Sequence, residues 1–372
     1  MHKKEKTLLI GPYPPPYHGT SIPFKLFCDY LNNNLLSSDE LCLLNTQTGD
    51  KALISIFNPK TSLKLVGLIW RILWRSLSKK KIIVFGSQRF VTTIGLILLI
   101  FKPFGKEIHL RINGGAYDKY LEQQPIFLRK IIIKGLSQFS SVVVETSLVA
   151  SKLKNLGVKR LKVCPNYRVL PKKQNKFNKK KAQNKIFFLY TGVVRRSKGC
   201  LELVQAFLDL KRWLNTNKHN YDLTLNIYGP IYDTKIIEYF PDIEQKGVFF
   251  HGNIDPHLLK KAYEEADIFV FPSYWKTEGH SGAVIEAMSY GLPVIATSWR
   301  ANSELIQNKV NGLLCKPRDV TSLFECMKLL VLDKKMREKL GNAALDFSKK
   351  FDAKVICKDL ASNFKLISFK KQ

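Results

Sequence analysis

The sequence predicts an α/β protein with two domains, each built on a parallel β-sheet. Short apolar runs of strand length recur along the 372 residues, and segments of helix length separate them. A polar and basic stretch, PKKQNKFNKKKAQNK at 171–185, interrupts this alternation and is typical of a linker. A chain of this length is also too long for one ordinary hydrophobic core, which favours two domains.

The predicted strands form two series, one on each side of the linker. The first series comprises 6–11, 41–44, 81–85, 108–112, 141–145 and 161–164; the second comprises 186–191, 223–228, 247–250, 268–272, 293–297 and 312–315. The chain from Arg337 onward is predicted to be helical. We therefore expect an N-terminal domain over 1–170, a C-terminal domain over 186–354, and a last helix over 355–372 that packs back on the first domain.

The composition excludes several classes of protein. The chain is 45% hydrophobic, which argues against global disorder. Its seven cysteines are scattered without paired spacing, which argues against a disulfide framework or a zinc site and fits a reducing cytoplasm. The N-terminus lacks the apolar stretch of a signal peptide. The longest apolar run, at 94–101, is too short to span a bilayer and predicts a buried helix.

The net charge of +30, from 60 Lys and Arg against 30 Asp and Glu, would attract polyanions. Nucleic acid, anionic lipid headgroups and phosphorylated substrates all belong to this class. The alternative is that a lysine-rich composition only solvates the surface. A nucleic-acid-binding protein would carry basic residues interleaved with aromatic ones on a defined module, and the sequence shows no such module.

The most informative stretch is IFVFPSYWKTEGHSGAVIEAMSYGLPVIAT at 268–297. Its apolar start predicts a buried strand, and 282–288 has the composition of a helix that ends before Gly291. The intervening loop contains Glu278. Because ligands of open α/β sheets bind outside the carboxyl ends of the strands, this loop is a candidate site.

The residues of this loop and helix suit a nucleotide sugar. Gly279 and Gly282 leave backbone N–H groups open at a helix N-terminus, where the partial positive charge favours a phosphate. Ser281, between them, is a further candidate donor-binding residue. Glu278 can accept hydrogen bonds from sugar hydroxyls, and Glu286 can reach a vicinal diol such as that of ribose.

This pair of glutamates, in EGHSGAVIEAMSYGLPVIAT, resembles the donor signature of retaining glycosyltransferases of family 4. These enzymes have the GT-B fold, in which two Rossmann-like domains face an interdomain cleft. The resemblance implies that Glu278 faces the donor sugar and that Glu286 faces the nucleotide ribose. It further implies that the protein is a hexosyltransferase-type enzyme that is metal-independent and needs no cofactor.

A second segment, TGVVRRSKG at 191–199, resembles the same family. Lys198 stands where the family has its diphosphate-binding lysine, and a lysine can neutralise the charge that develops on a leaving diphosphate. The family usually has an arginine where this chain has Val193, so Arg195 or Arg196 is expected to substitute. The alternative for both arginines is exposed charge on a turn.

Two segments of the predicted N-terminal domain also resemble the family. In GPYPPPYHGT, Gly19 is expected to let the backbone approach the donor phosphates. In RINGGAYD at 111–118, Asn113 stands in a region where the family often has a histidine. Asn113 or Arg111 is expected to contact the transferred sugar; the alternative is an Asn-Gly turn without chemistry. His109, within a predicted strand, is expected to be structural.

The predicted activity is transfer of a sugar from a nucleotide sugar, with UDP favoured and GDP possible, to a glycan or a polyprenyl-pyrophosphate-linked acceptor. The family resemblance implies a role in bacterial surface polysaccharide or lipopolysaccharide biosynthesis. The alternatives are a sugar-nucleotide epimerase, a glycan phosphorylase or a non-catalytic relative, and the arginine missing at Val193 supports the last of these.

The stretch TSLKLVGLIWRILWRSLSKKK at 61–81 predicts a basic amphipathic helix. It either packs on the sheet of the first domain or lies in a bilayer interface. With the high net charge, it predicts a cytoplasmic protein that associates with the inner face of the plasma membrane. The basic face comprises Lys60, Lys64, Arg71, Arg75 and Ser78; the apolar face comprises Leu65, Leu68, Ile69, Trp70, Ile72, Trp74 and Leu77.

Overall fold

The computed structural model describes residues 6–37, 39–47, 59–171 and 184–367. Most of the predicted linker at 171–185, and the last residues of the predicted terminal helix, lie outside these ranges. The chain divides into two compact units. The first comprises 1–168 together with 353–372, and the second comprises 169–352.

The first unit contains a six-stranded parallel sheet in the order β2-β1-β3-β4-β5-β6. Each strand is a short apolar run that a helical segment follows, as expected for consecutive βα units. The strands are β1 Thr7–Gly11, β2 Leu41–Asn45, β3 Lys81–Gly86, β4 Glu107–Ile112, β5 Ser141–Val144 and β6 Leu161–Val163; the helices are α1 Ser21–Asn34, α2 Pro59–Leu77, α3 Gln88–Leu98, α4 Tyr117–Glu122, α5 Ile126–Leu136 and α6 Ser147–Asn155.

Helices cover both faces of this sheet, because the side chains of each strand alternate between the faces. Along β3, Ile82 and Val84 belong to the core cluster that α2, α3, α5 and α6 complete. Ile83 and Phe85 belong to a second cluster, which contains Phe24 of α1. The first sheet is therefore buried on both sides.

The second unit contains another six-stranded parallel sheet, in the order β12-β11-β10-β7-β8-β9. A single large core surrounds it. The strands are β7 Lys185–Thr191, β8 Asp222–Tyr228, β9 Val248–Gly252, β10 Ile268–Phe271, β11 Val294–Thr297 and β12 Gly312–Cys315; the helices are α7 Cys200–Thr216, α8 Lys235–Glu238, α9 Pro256–Glu265, α10 Gly282–Ser289, α11 Asn302–Leu305, α12 Val320–Leu332 and α13 Lys334–Ser348.

The last described helix, α14, spans Ala353–Asn363 and packs against α1 of the first unit. Just after it, the ring of Phe364 lies 5.8 Å from that of Phe27 and 6.1 Å from that of Phe85. These aromatic contacts fasten the end of the chain to the face of the first sheet that α1 covers.

All twelve predicted strands are present, with boundaries that differ by at most two residues, but three other predictions need correction. The helix predicted over 61–81 ends at Leu77, because Lys81 begins β3. The predicted linker ends earlier than 185, because Lys185 begins β7. The apolar run at 94–101 is not one buried helix: α3 ends at Leu98 and a 3-10 helix follows over Leu99–Phe104, which leaves Ile100 55% exposed.

Two findings bear on the predicted class of protein. Each of the seven cysteines is a free thiol, as their spacing predicted. Within the described ranges, no helix combines the length and the apolar character that crossing a membrane requires.

Candidate active site

The predicted donor residues lie where the strand order of the second sheet reverses. From β7 the chain proceeds to β8 and β9 on one side, then returns to β10 and proceeds to β11 and β12 on the other. β7 and β10 are parallel neighbours, with Phe188 opposite Ile268. Such a switch point opens a crevice at the carboxyl ends of the strands, which is the usual ligand site of this kind of sheet.

The loops that follow β7 and β10 are in direct contact. Gly199 has φ +74°, and a Cβ at this position would lie 2.2 Å from the carbonyl oxygen of Pro272. Only glycine therefore fits, because any side chain would collide with the neighbouring backbone. The Tyr274 N–H donates to the carbonyl of Ser197 at 3.0 Å and joins the two loops again.

Lys198 and Glu278 form a largely buried ion pair across these loops. The distance from Lys198 Nζ to Glu278 Oε2 is 2.7 Å, and the side chains are 18% and 10% exposed. The Ser273 hydroxyl donates to the same carboxylate oxygen. The Lys198 ammonium also lies 5.6 Å from the centre of the Phe271 ring. A charged pair in such surroundings is held in one geometry, because separating it would leave a buried charge without compensation.

Glu286 lies on α10, and hydrogen bonds connect it to the carboxyl end of β7. Its carboxylate accepts a hydrogen bond of 3.1 Å from the Tyr263 hydroxyl, which is also hydrogen-bonded to Thr191 Oγ1 at 2.7 Å. Thr191 is the last residue of β7. The Tyr290 ring stacks on Tyr263 at 5.3 Å; its hydroxyl pKa is raised to about 12, mainly by burial and further by the carboxylates of Glu264 and Glu286.

The loop before α10 is also held in place. Ser281 is the N-cap of this helix, and its hydroxyl accepts from the Val284 N–H. Gly282 is buried at the first helical position, and Gly279 is half-buried. His280, which sequence reasoning did not single out, is buried and forms a 3.2 Å contact with Glu304 Oε2. The sequence EGHSG thus places Glu278 at a fixed distance from the helix N-terminus.

The structure distinguishes the two candidate arginines. The Arg195 guanidinium lies 5.5 Å from the Tyr232 ring and 5.3 Å from the Trp275 ring, and the residue is half-buried. Arg196 is exposed. Neither aromatic partner was predicted, because Tyr232 and Trp275 are distant from Arg195 along the chain. Stacking on aromatic faces restricts a guanidinium without consuming its hydrogen-bond donors.

A cavity of about 470 Å³ lies at the carboxyl ends of β8 and β9, beside α9. The rings of Tyr228 and His251 stack there at 4.2 Å with an interplanar angle of 10°. Asp255, Leu258 and Glu265 also line it. Helix α9, which forms one wall, also carries the tyrosine that binds Glu286. Sequence reasoning missed this cavity, although Tyr228 ends one predicted strand and His251 directly follows another.

In the first unit, Asn113 follows β4 at the carboxyl edge of the sheet. It is 6% exposed, and its Nδ2 has no hydrogen-bond partner among the described residues. The N–H of the next residue, Gly114, donates to Glu145 Oε2 at 2.9 Å. Gly19 is exposed, with open space where a Cβ would lie. Of Asn113 and Gly19, only Asn113 is therefore buried and has an unused hydrogen-bond donor among the described residues.

The neighbouring Arg111 and His109 have structural contacts. The buried Arg111 guanidinium donates to the carbonyls of Val144 and Pro165, at 3.2 and 3.1 Å, and joins the segments that end β5 and follow β6. His109 is fully buried, as predicted for a structural histidine, and its Nδ1 lies 2.8 Å from Ser141 Oγ. Burial lowers the His109 pKa to about 4, with Glu107 acting in the opposite direction.

Within 6–37, 39–47, 59–171 and 184–367, no three His, Cys, Asp or Glu side chains are grouped so that they could hold a metal ion.

The two parallel sheets can be compared with those of known proteins. Residues 171–347 match the family model described as glycosyl transferases group 1. The fold matches that of solved GT-B structures. HepE of Anabaena, solved in complex with UDP, has a TM-score of 0.69 at 15% sequence identity. The match covers 97% of this chain and 100% of the HepE chain. Sucrose-phosphate synthase of Thermosynechococcus elongatus has a TM-score of 0.73 at 17% identity, covering 97% and 98%.

Similar curated proteins include transferases of several kinds. Sulfoquinovosyl transferase SQD2 of Arabidopsis thaliana is 36% identical over 106 residues, 28% of this chain and 20% of that protein. Protein CapJ of Staphylococcus aureus is 24% identical over 362 residues, 88% and 86% of the two chains. The capsular polysaccharide biosynthesis glycosyltransferase CapM of the same organism is 25% identical over 182 residues, 47% and 44%. The family model thus matches just under half of this chain, and the solved structures share its GT-B fold.

Proposed function

We propose that this protein is a retaining glycosyltransferase that takes a sugar from a nucleotide diphosphate sugar, with UDP as the favoured nucleotide. The observation that carries the proposal is the buried Lys198–Glu278 pair, with Glu286 anchored to the same sheet edge. HepE, which shares the fold, is described in complex with UDP, and this supports the choice of nucleotide.

The ion pair has a specific consequence for donor binding. A diphosphate at the N-terminus of α10 brings negative charge towards Lys198, which can then exchange its carboxylate partner for phosphate. Glu278 is thereby released to accept hydrogen bonds from the sugar hydroxyls. When the bond to the sugar breaks, negative charge grows on the diphosphate, and Lys198 stabilises it in a site of low solvent exposure.

Arg195 is the arginine that we propose as the second cation for the diphosphate. The rings of Tyr232 and Trp275 hold it on the loop after β7, whereas Arg196 is exposed to solvent. The two cations would supply positive charge without a metal ion, so the proposed reaction is metal-independent. Departure of the diphosphate and attack of the acceptor then occur on the same face of the sugar, which retains its anomeric configuration.

The nucleoside is proposed to lie between Glu286 and the cavity at Tyr228 and His251. The Glu286 carboxylate is suited to the two hydroxyls of a ribose. The stacked rings of Tyr228 and His251 offer an aromatic surface for a base, and α9, which borders this cavity, carries the Tyr263 hydroxyl that donates to Glu286. Asn113 and Gly19 remain proposals for contacts with the transferred sugar and with the donor phosphates.

The acceptor is proposed to be a lipid-linked glycan at the inner face of the plasma membrane. On α2, Leu68 and Ile72 are buried in the core, but Trp70 and Trp74 are 66% and 65% exposed and stack on each other. Exposed tryptophans beside basic residues such as Arg71 suit the interface of an anionic membrane. Similarity to CapM supports a role in surface polysaccharide assembly, and lipopolysaccharide is a second pathway of the same chemistry.

The experiment is a nucleotide-release assay with UDP-sugars and GDP-sugars, with and without membrane extracts as the acceptor source. Glu286→Ala and Lys198→Ala should lose most of the release that the wild type shows, while Glu338→Ala and Lys334→Ala, an exposed pair on α13, should keep it. Full activity in both site variants with a proven acceptor would contradict the site. Conversion of the sugar nucleotide without an acceptor would indicate an epimerase instead.

A further inference from the structure

A second cavity, of about 410 Å³, lies in the first unit, at the end of its sheet where the strands begin. Glu107 begins β4, and Ser140 and Arg160 immediately precede β5 and β6. The cavity therefore lies at the amino-terminal ends of these strands, whereas Asn113 lies at the carboxyl end of β4. The polar side chains that line the cavity are Lys102, Lys106, Glu107, Ser140, Arg160 and Lys365.

The charges around this cavity do not balance. Four cationic side chains surround a single carboxylate, that of Glu107, which lies 3.5 Å from the Lys365 ammonium. The same carboxylate lies 3.6 Å from Nε2 of the buried His109 ring. Arg160 has no carboxylate partner among the residues that the structure describes. Like charges gathered at one concave surface repel each other unless an anion is bound between them.

Two of the lysines are positioned by the fold rather than extended into solvent. The Lys106 ammonium donates to the Lys79 carbonyl at 3.1 Å and to the carbonyls of Ser76 and Leu77, at the C-terminal end of α2. The Lys102 ammonium lies 3.4 Å from the Ser140 hydroxyl. Lys106 therefore contributes positive charge, because its three N–H groups already have carbonyl acceptors, whereas Lys102 and Ser140 can donate hydrogen bonds to the oxygens of a phosphate.

We propose that this cavity binds a phosphate group. The ligand chemistry is a phosphate monoester, a phosphodiester or the free ion, and it has two sources in a cell: the headgroup of an anionic lipid and a soluble phosphate. In the same 3-10 helix as Lys102, the apolar residues Ile100 and Phe104 are 55% and 76% exposed. The site is independent of the proposed transferase activity and does not share residues with the donor site.

The test measures thermal unfolding of the full chain against inorganic phosphate, with chloride at equal ionic strength as the reference. The cavity variant is Lys102→Gln with Arg160→Gln, because neither residue caps a helix or pairs with a carboxylate. The control variant is Lys335→Gln with Lys339→Gln, which removes the same charge from the exposed surface of α13. Phosphate should raise the Tm of the wild type and the control alike, since binding to the native state stabilises it.

The cavity variant should need at least about tenfold more phosphate for half of the Tm shift. An equal response in all three proteins would overturn the proposal, because phosphate would then bind elsewhere, the donor site included. Far-UV circular dichroism confirms that the cavity variant is folded, and the single change Lys102→Gln, with an intermediate response expected, serves if the double variant is not.

Vesicle flotation distinguishes the two sources of phosphate. If a lipid headgroup occupies the cavity, the cavity variant should bind phosphatidylglycerol vesicles less than the control variant does, and inorganic phosphate should compete with the vesicles. If a soluble phosphate occupies it, both variants should float equally while the difference in Tm response remains. Both outcomes support a phosphate site and assign its source; the absence of both differences refutes it.

Discussion

Replacing Lys198 by methionine tests two roles of this residue, one in the stability of the protein and one in the turnover of the donor. The change removes the ammonium from a pair whose Nζ–Oε2 distance is 2.7 Å. The Glu278 carboxylate then lies 10% exposed without its cation, although the Ser273 hydroxyl still donates to it. Breaking a buried pair in this way costs about 3–5 kcal/mol when no partner remains.

The remaining hydrogen bond and the partial exposure of both side chains reduce this cost here. We expect a loss of about 2 kcal/mol in the free energy of unfolding, which for a unit of this size lowers the Tm by about 4–8 °C. The same variant should lose about 100- to 1000-fold in turnover, the usual effect of removing a group that stabilises charge in the transition state.

The double variant Lys198→Met with Glu278→Gln provides the decisive comparison. With both charges gone, no buried carboxylate lacks a partner, so the Tm should return to within about 2 °C of the wild type. Turnover should stay low, because the diphosphate and the sugar have each lost a contact. The control pair on α13, Lys334→Met with Glu338→Gln, should change neither quantity, because that pair is exposed.

Thermal unfolding and nucleotide release, measured on the same preparations, test this reasoning. If the double variant unfolds at the same temperature as Lys198→Met, the two side chains are not energetically coupled, and the buried pair does not stabilise the site. If Lys198→Met keeps full turnover with a proven acceptor, Lys198 does not stabilise the leaving diphosphate.

Three further predictions use other parts of the structure. Gly199→Ala should destabilise the protein by at least about 2 kcal/mol more than Gly157→Ala, because both glycines have positive φ but only the first Cβ would meet a carbonyl, at 2.2 Å; equal losses in urea unfolding would contradict this. Trp70→Ala with Trp74→Ala should leave the free energy of unfolding within about 1 kcal/mol of the wild type but weaken flotation with phosphatidylglycerol vesicles, and unchanged flotation would remove α2 from the membrane contact. His109 has a folded-state pKa of about 4, below its unfolded value near 6.5, so the stability it contributes is present above about pH 6.5 and is lost as the pH falls towards 4. Across this range, the free energy of unfolding of the wild type should change with pH more steeply than that of His109→Gln, by the equivalent of about one proton. Parallel curves of the free energy of unfolding against pH would contradict the lowered pKa.

The sequence predicts the strands well because each is a local signal. IFVF at 268–271 is an apolar run that ends in Pro272, and such runs bounded by proline or glycine depend on no distant residue. One of the two neighbours of β10, in contrast, is β7, about 80 residues earlier in the chain. Strand order is a property of the assembled sheet, and the sequence contains no local signal for it.

The same distinction holds for the candidate site. The spacing of Glu278 and Glu286 within one loop and helix is local, so the sequence was sufficient to select both. The hydrogen bond from Tyr263 to Glu286 and the stacking of Tyr232 and Trp275 around Arg195 join segments distant in sequence. These partners therefore appear only in the folded chain, although they decide which arginine is positioned.

Helix α2 shows why a hydrophobic pattern alone does not identify the partner of a helix. Its apolar arc is broad enough for two contacts, and residues i and i+4 lie on one face. Leu68 and Ile72 form the stripe that the first core buries, whereas Trp70 and Trp74, rotated around the helix by two residues, remain exposed. Because the core already has its contacts from the first stripe, the tryptophans add nothing to the packing of the sheet. Two exposed and stacked tryptophans beside basic residues support the membrane contact proposed above, because the interface of an anionic membrane suits both the rings and the charge.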